Sequence, residues 1–206
     1  MTAIILAAIA LFSPLFVLKS IGPFDFWWWM SLNLILLIGI ALKIDPLFRR
    51  SISTNLHDGI PKKIALGILA AAVLYFVFFA GNILSRQLFP FAATDIAAVY
   101  DFKAGAAPAR IWLLMTLVIG PGEEVFWRGY LQRALALRFG PANGCLLAAT
   151  LYAGVHLASG NVMLVVAALV CGFVWGWLYF RFGSVLLNAV SHTLWDVAAF
   201  LLFPFG

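Results

Sequence analysis

Uncharged apolar segments of about 20 residues recur along nearly the whole of this 206-residue chain, as at 65–84 and 162–180. A helix needs roughly 20 predominantly apolar residues to span a bilayer. Hydrophobic residues make up 65% of the chain and charged residues 10%, whereas soluble domains are about 45–50% apolar and 25% charged. A transmembrane β-barrel would need short alternating segments instead. The sequence therefore predicts an all-α, polytopic transmembrane helical bundle.

The positions of Pro, Gly and charged residues predict about seven spans within a single membrane domain that covers residues 1–206. The first apolar run lacks the basic start and the cleavage site of a signal peptide, so we interpret it as a retained anchor. The connection 85–109 could hold a short interfacial helix. The predicted spans are 3–18, 27–43, 62–84, 109–134, 142–158, 162–181 and 184–203.

Basic residues are unevenly divided between the two sets of connecting loops. With the N-terminus inside, eight Lys and Arg residues lie in inside loops and four in outside loops. This asymmetry predicts a cytoplasmic N-terminus, and we expect the plasma membrane of a bacterium or archaeon. No aromatic-interleaved basic face occurs, so we expect no nucleic-acid partner. His57 is predicted to be a solvated surface residue, and Cys145 and Cys171 are predicted to be buried and unpaired.

Four charged side chains interrupt the apolar spans. Span four carries Glu123, Glu124 and Arg128, and span seven carries Asp196. A charge at the centre of a membrane helix costs roughly 2.5–3.5 kcal/mol on insertion scales, so four unpaired charges would cost on the order of 10 kcal/mol. These side chains must therefore face a polar interior and each other, which indicates a functional site.

Four-residue spacing places further polar side chains on shared helix faces. Three predicted helices each have one such polar face, and if these faces turn inward, they enclose a single water-accessible site. Each pattern also has a simpler interpretation: a Glu–Arg folding clamp, a packing histidine, or an asparagine that hydrogen-bonds between helices. The patterns pair Glu124 with Arg128 and Tyr152 with His156, and they align Asn188, His192 and Asp196.

These residue types are suited to hydrolysis of an amide bond. A buried carboxylate beside a cation can act as a general base for water, one histidine can pass a proton to a leaving amine, and another can stabilise an oxyanion. The alternative is a catalytic zinc ion held by Glu123, His156 and His192. The His-Glu-x-x-His pattern of soluble zinc proteases is absent, and spacing alone does not decide between the two mechanisms.

Three short motifs resemble those of the CAAX-processing and bacteriocin-processing (CPBP) intramembrane proteases, which include the Rce1-type prenyl-protein endopeptidases. Residues 123–128 resemble the Glu-Glu-x-x-x-Arg motif. Residues 152–156 resemble Phe-x-x-x-His, with Tyr in place of Phe, and residues 192–196 resemble His-x-x-x-Asn, with Asp in place of Asn. The motifs occur in the expected order within a core at about 110–200.

The resemblance implies a role for each motif residue. Glu123 would activate water with help from His156, and His192 would stabilise the oxyanion with residue 196 as its partner. Because an ionised Asp196 cannot donate to an oxyanion, it could instead orient His192, or Asn188 could supply the amide. Glu124, Arg128 and Tyr152 would have supporting roles. We favour a mechanism without a cofactor over the zinc alternative.

The expected partners are the lipid bilayer and a membrane-anchored protein or peptide that is cleaved within the membrane. Two other functions are compatible with the polar residues. A catalytically silent immunity or binding protein would keep only part of the set, and a proton- or ion-coupled transporter would use intramembrane Glu, His and Asp as a relay. The inverted repeats typical of many transporters are absent from the sequence.

Overall fold

The computed structural model describes residues 2–55 and 59–205, so the prediction for His57 lies outside the described residues. The predicted all-α class is confirmed, with one two-stranded hairpin, β1 and β2, between the first two helices. The strands are Ser20–Ile21 (β1) and Phe24–Asp25 (β2). The helices are Thr2–Leu18 (α1), Phe26–Ile44 (α2), Pro46–Asn55 (α3), Ile60–Leu88 (α4), Ala92–Val99 (α5), Pro108–Phe139 (α6), Pro141–His156 (α7), Val162–Phe182 (α8) and Val185–Leu202 (α9), with 3₁₀ turns at Tyr100–Lys103 and Leu157–Ser159.

A helix lies at each of the seven predicted segments, but the prediction of seven spans is not confirmed. Four described helices, α2, α4, α8 and α9, are long and apolar enough to cross a membrane. A fifth span exists if α5 with its 3₁₀ turn and α6, which meet at 93°, are counted together. The helices α1 and α7 have 17 and 16 residues, or about 25 Å at 1.5 Å per residue. They are therefore shorter than the roughly 30 Å hydrocarbon core.

Side-chain caps and glycines determine where the helices that carry the site begin. The Asn161 side chain accepts a hydrogen bond from the Leu164 amide at the start of α8, and Ser184 accepts one from Leu187 at the start of α9. Such caps satisfy amide groups that have no partner within the helix. Gly183, at φ 60°, lies in the left-handed region and allows the tight turn between α8 and α9.

The helix α6 lies inside the bundle and carries two π-helical turns, Met115–Ile119 and Glu124–Gln132. It packs against α2, α7, α8 and α9, while α4 covers the other side of α9. Every residue from Phe126 to Gln132 is buried. The second π turn overlaps the Glu-Glu-x-x-x-Arg motif. Because π turns are enriched at functional sites, this overlap indicates a functional site on α6.

Close approach between α6 and α9 depends on a glycine. A Cβ atom added at Gly120 would overlap the Thr193 hydroxyl and lie 3.1 Å from the Thr193 Cα atom. The bundle thus brings α6, α7 and α9, which carry the three motifs, together.

Both cysteines are free. Cys171 is buried, as predicted, whereas Cys145 is half-buried.

Candidate active site

The imidazole ring of His192 lies between the side chains of two consecutive glutamates. Its Nδ1 atom is 2.7 Å from Oε1 of Glu124, and its Nε2 atom is 3.7 Å from Oε2 of Glu123. All three side chains are buried, with residue exposures of 4% or less. Because a carboxylate can only accept, the short contact to Glu124 requires a proton on Nδ1. The two glutamates therefore lie next to different nitrogen atoms of the same histidine ring.

Glu124 is surrounded by hydrogen-bond donors. Arg128 donates from Nη1 to Oε1 at 2.9 Å, which is the ion pair that the four-residue spacing predicts. Asn188 donates from Nδ2 to Oε2 at 3.0 Å. A buried charge pair is stable only when its remaining polar atoms are satisfied, and His192 provides the third contact. Glu124 is thus engaged by protein on both oxygen atoms.

Glu123 instead lines a cavity of about 490 Å³ that extends between α4, α5, α8 and α9. Its Oε2 atom accepts a hydrogen bond of 2.7 Å from the Tyr152 hydroxyl. Most of the cavity wall is aliphatic or aromatic. Among the described residues that line it, the only glutamate is Glu123. Its carboxylate therefore faces space that a water molecule and a substrate could enter.

His156 presents a free nitrogen in the same cavity. Its Nδ1 atom is 2.8 Å from the Tyr152 carbonyl oxygen, which can only accept, so Nδ1 carries the hydrogen. Neutral His156 therefore keeps the lone pair on Nε2. The ring centroid of His156 lies 4.6 Å from that of Phe16, so Phe16 packs against the imidazole. Tyr152 thus contacts Glu123 through its hydroxyl and His156 through its backbone.

Asp196 completes the polar part of the cavity. Its Oδ2 atom lies 3.5 Å from Nε2 of His192, the same nitrogen that faces Glu123. The structure thus brings together all eight residues that the sequence indicated: Glu123, Glu124, Arg128, Tyr152, His156, Asn188, His192 and Asp196.

A comparison with protein families gave a match that covers this site. Residues 105–198 match the Rce1-like family. The family is described as type II CAAX prenyl endopeptidase, Rce1-like, and the matched segment contains all eight site residues. The match confirms the resemblance stated from the motifs. Neither a comparison with curated proteins nor one with solved structures gave a match.

Two site residues of this Rce1-like segment depart from the family motifs. Tyr152 replaces Phe, and the added hydroxyl is the group that donates to Glu123. Asp196 replaces Asn and adds a third carboxylate near His192. Both departures therefore act on the contacts that surround Nε2 of His192.

Asn188 is not among the described residues that line the cavity. Its Nδ2 atom donates to Glu124 and also, at 2.7 Å, to the Trp175 carbonyl oxygen. These two bonds use both amide hydrogens, which leaves none for an oxyanion. The contacts favour the interhelical role of Asn188 over its role as an oxyanion donor.

Sequence reasoning missed Trp175 as part of the site. Its ring lies parallel to the His192 imidazole, with centroids 3.7 Å apart and an interplanar angle of 18°. The indole Nε1 donates to the Ser191 hydroxyl at 3.2 Å. Trp175 lies in an apolar run with no charged residue or histidine at four-residue spacing. No sequence signal separates it from ordinary packing residues.

Zinc ligation by Glu123, His156 and His192 was the alternative from the sequence. Within residues 2–55 and 59–205, no group of three or more His, Cys, Asp or Glu side chains is arranged to hold a metal ion. The side chains as placed do not fit a zinc centre, and we derive no step through one.

Proposed function

We propose that this protein is an intramembrane endopeptidase that hydrolyses a peptide bond of a membrane-anchored protein or peptide. The observation that carries the proposal is the division of labour between two neighbouring glutamates. Glu124 is held by Arg128, Asn188 and His192, whereas Glu123 faces the cavity beside Nε2 of His192. The match of residues 105–198 to the Rce1-like family supports the same activity.

In the proposed reaction, the Glu123 carboxylate removes a proton from water as the water oxygen attacks the carbonyl carbon of the scissile peptide bond. The carbonyl π electrons move to oxygen and form a tetrahedral oxyanion. His192 donates a hydrogen bond from Nε2 to that oxyanion. The ring is doubly protonated in this step. The carboxylates of Glu124 and Asp196 stabilise its positive charge, because Glu123 becomes neutral when it takes the proton from water.

Collapse of the intermediate breaks the carbon–nitrogen bond. The proton taken from water passes from Glu123 to the leaving nitrogen, with Nε2 of His156 as the group that relays it. The products are a carboxylic acid and an amine. His156 is suited to this role because its Nδ1 proton is held by the Tyr152 carbonyl oxygen while Nε2 stays free.

The substrate we propose is apolar near the scissile bond. The cavity wall is mostly aliphatic and aromatic, which would accommodate a transmembrane segment or a lipidated C-terminus that enters laterally from the bilayer. CAAX-like C-terminal processing or cleavage of a sorting signal fits this shape.

We further propose that the seven predicted spans form one membrane domain, with a cytoplasmic N-terminus and a catalytic core at about 110–200.

The decisive experiment measures cleavage of a fluorogenic prenylated CAAX-type peptide by purified protein in proteoliposomes. Wild type and Glu123→Gln are compared, each with and without a strong zinc chelator. Asp101→Asn, an exposed carboxylate-to-amide change, is the matched control. We expect Glu123→Gln to lose about 10²- to 10⁴-fold in rate, the usual contribution of a general base, and the chelator to have no effect.

Other outcomes have defined meanings. Loss of wild-type activity on chelation, with recovery on adding zinc, would establish the metal alternative. If Glu123→Gln cleaves as fast as wild type, the role of Glu123 as general base is wrong. If wild type cleaves no peptide, with or without added zinc, a binding or transport function takes the place of the protease.

A further inference from the structure

The chain's own segment 203–205 lies against the cavity that contains the candidate active site. It follows the end of α9 and is not helical. The side chain of Phe205 lines the cavity together with Glu123 and His192. Part of the cavity wall is therefore formed by a terminal segment of the protein's own chain.

Side chains from two separate elements bind the backbone of Phe205. Its amide donates to the Tyr100 hydroxyl at 2.7 Å. Its carbonyl oxygen accepts from Nη2 of Arg86 at 2.8 Å and from Nδ2 of Asn82 at 3.5 Å. Arg86 also donates from Nε to the Asn82 side-chain oxygen at 2.8 Å, which orients both groups. These contacts recognise peptide backbone and do not depend on the side chain that the bound residue carries.

The aromatic ring of Phe205 has its own binding surface. It stacks on Tyr75, with ring centroids 5.1 Å apart and an interplanar angle of 28°, and it lies 6.4 Å from Phe78 at 26°. The Tyr75 hydroxyl donates to the Phe203 carbonyl oxygen at 3.0 Å. The Phe203 ring makes only an edge contact with Tyr75, with ring centroids 6.3 Å apart, and Phe203 is 62% exposed. The surface thus holds the Phe205 side chain and two backbone positions of the segment.

A row of aromatic rings links this surface to the candidate active site. Phe78 contacts Trp195 with ring centroids 4.6 Å apart, Trp195 contacts Trp175 at 5.9 Å, and Trp175 stacks on His192. Trp195 lines the cavity, and its buried Nε1 atom has no hydrogen-bond partner among the described residues. A peptide that runs from this surface toward His192 would offer carbonyl oxygens to that donor.

We infer that Tyr75, Phe78, Asn82, Arg86 and Tyr100 form a peptide-binding subsite, here called the α4 subsite, for an extended substrate segment with an aromatic side chain. The segment 203–205 is its internal occupant, so a substrate must displace it. All five residues precede residue 105 and lie outside the segment that matches the Rce1-like family. The inference rests on the proposed function, because it treats the incoming peptide as the substrate.

Binding is tested in the Glu123→Gln background, where the peptide survives. The probe is a fluorescently labelled peptide with the sequence of residues 201–206, and its affinity is measured by anisotropy in detergent micelles. Four further variants are compared with the intact chain. They are deletion of residues 203–206, the same deletion with Arg86→Ala, Phe205→Ala, and the control Phe203→Ala.

A tethered occupant competes at an effective concentration in the millimolar range, so we expect the deletion to tighten peptide binding by about tenfold or more. Arg86→Ala in the deleted chain should weaken binding again by about tenfold, the usual effect of losing a hydrogen bond from a charged donor. Phe205→Ala should give part of the gain without shortening the chain. Phe203→Ala should give a smaller gain than Phe205→Ala, because its ring contacts only Tyr75, edge-on.

Equal affinity for the intact chain, the deletion and Phe205→Ala would overturn the internal occupant. An Arg86→Ala effect of less than twofold would overturn the α4 subsite. In the catalytically intact background, the deletion should lower KM for a peptide substrate and leave kcat unchanged. If these affinities change as expected but no chain cleaves any peptide, the subsite stands and the proposed protease function fails.

Discussion

Glu124 holds His192 by a hydrogen bond of 2.7 Å between Oε1 and Nδ1, and the same oxygen atom accepts from Arg128. One carboxylate therefore joins α6 to α9 and fixes which nitrogen of His192 faces the cavity. This contact explains why two consecutive glutamates have different tasks. Glu124 positions the neighbouring side chains, whereas Glu123 faces the cavity, where it can contact water.

We expect Glu124→Gln to destabilise the protein far more than Glu123→Gln. The change leaves Arg128 buried, at 1% exposure, without its charge partner, which costs about 3–5 kcal/mol. The measurement is the free energy of unfolding in detergent, with Glu123→Gln as the neighbouring control. The double variant Glu124→Gln/Arg128→Met should recover part of the loss, and equal stability of the two single variants would contradict the organising role.

We expect Tyr152→Phe to reduce kcat by about tenfold while the fold is retained, because the removed hydroxyl donates to the charged oxygen of Glu123. The aromatic ring stays, so its contact with Trp127 at 5.3 Å is preserved. Tyr130→Phe is the control. Tyr130 lies on α6 and is buried like Tyr152, but it is not among the described residues that line the cavity. Similar kcat values for Tyr152→Phe, Tyr130→Phe and wild type would show that the hydroxyl does not position Glu123.

We expect Asp196→Asn to lower kcat by about tenfold, because a neutral amide 3.5 Å from Nε2 of His192 stabilises the charged ring less well than a carboxylate does. The kcat of Asp196→Ala should be lower still, since this change also removes the polar contact with His192. Cleavage kinetics of the two variants provide the measurement. A faster Asp196→Asn enzyme would mean that residue 196 serves as an amide donor to the oxyanion, as the family motif implies.

We expect Gly120→Ala to destabilise the bundle by about 1–3 kcal/mol, the usual range for overpacking. The added methyl group would overlap Thr193 on α9, one residue from His192. Gly39→Ala is the matched control because a Cβ atom at Gly39 meets no atom within 4 Å. Thermal unfolding should separate the two variants, and cleavage should fall only in Gly120→Ala. Equal melting temperatures would show that α6 and α9 can move apart at no cost.

The sequence was sufficient to predict the helical class and which polar side chains share a helix face, because both depend on local pattern. Apolar runs without charge specify membrane helices, and charges inside those runs are too costly to be incidental. Four-residue spacing then grouped Glu124 with Arg128 and Tyr152 with His156, and both pairs are in contact. The number of spans was less predictable, since helix ends and the 93° bend before α6 depend on packing.

Only the tertiary structure decided which glutamate faces the cavity, because neighbouring residues on a helix differ in direction and sequence alone cannot tell which direction is inward. It also placed Trp175 against His192 and segment 203–205 against α4. Neither contact is visible in the local sequence pattern, since each joins positions 17 or more residues apart. The sequence by itself determined which side chains had to find polar partners in a membrane, and the packing of α6, α7, α8 and α9 decided which partners they found.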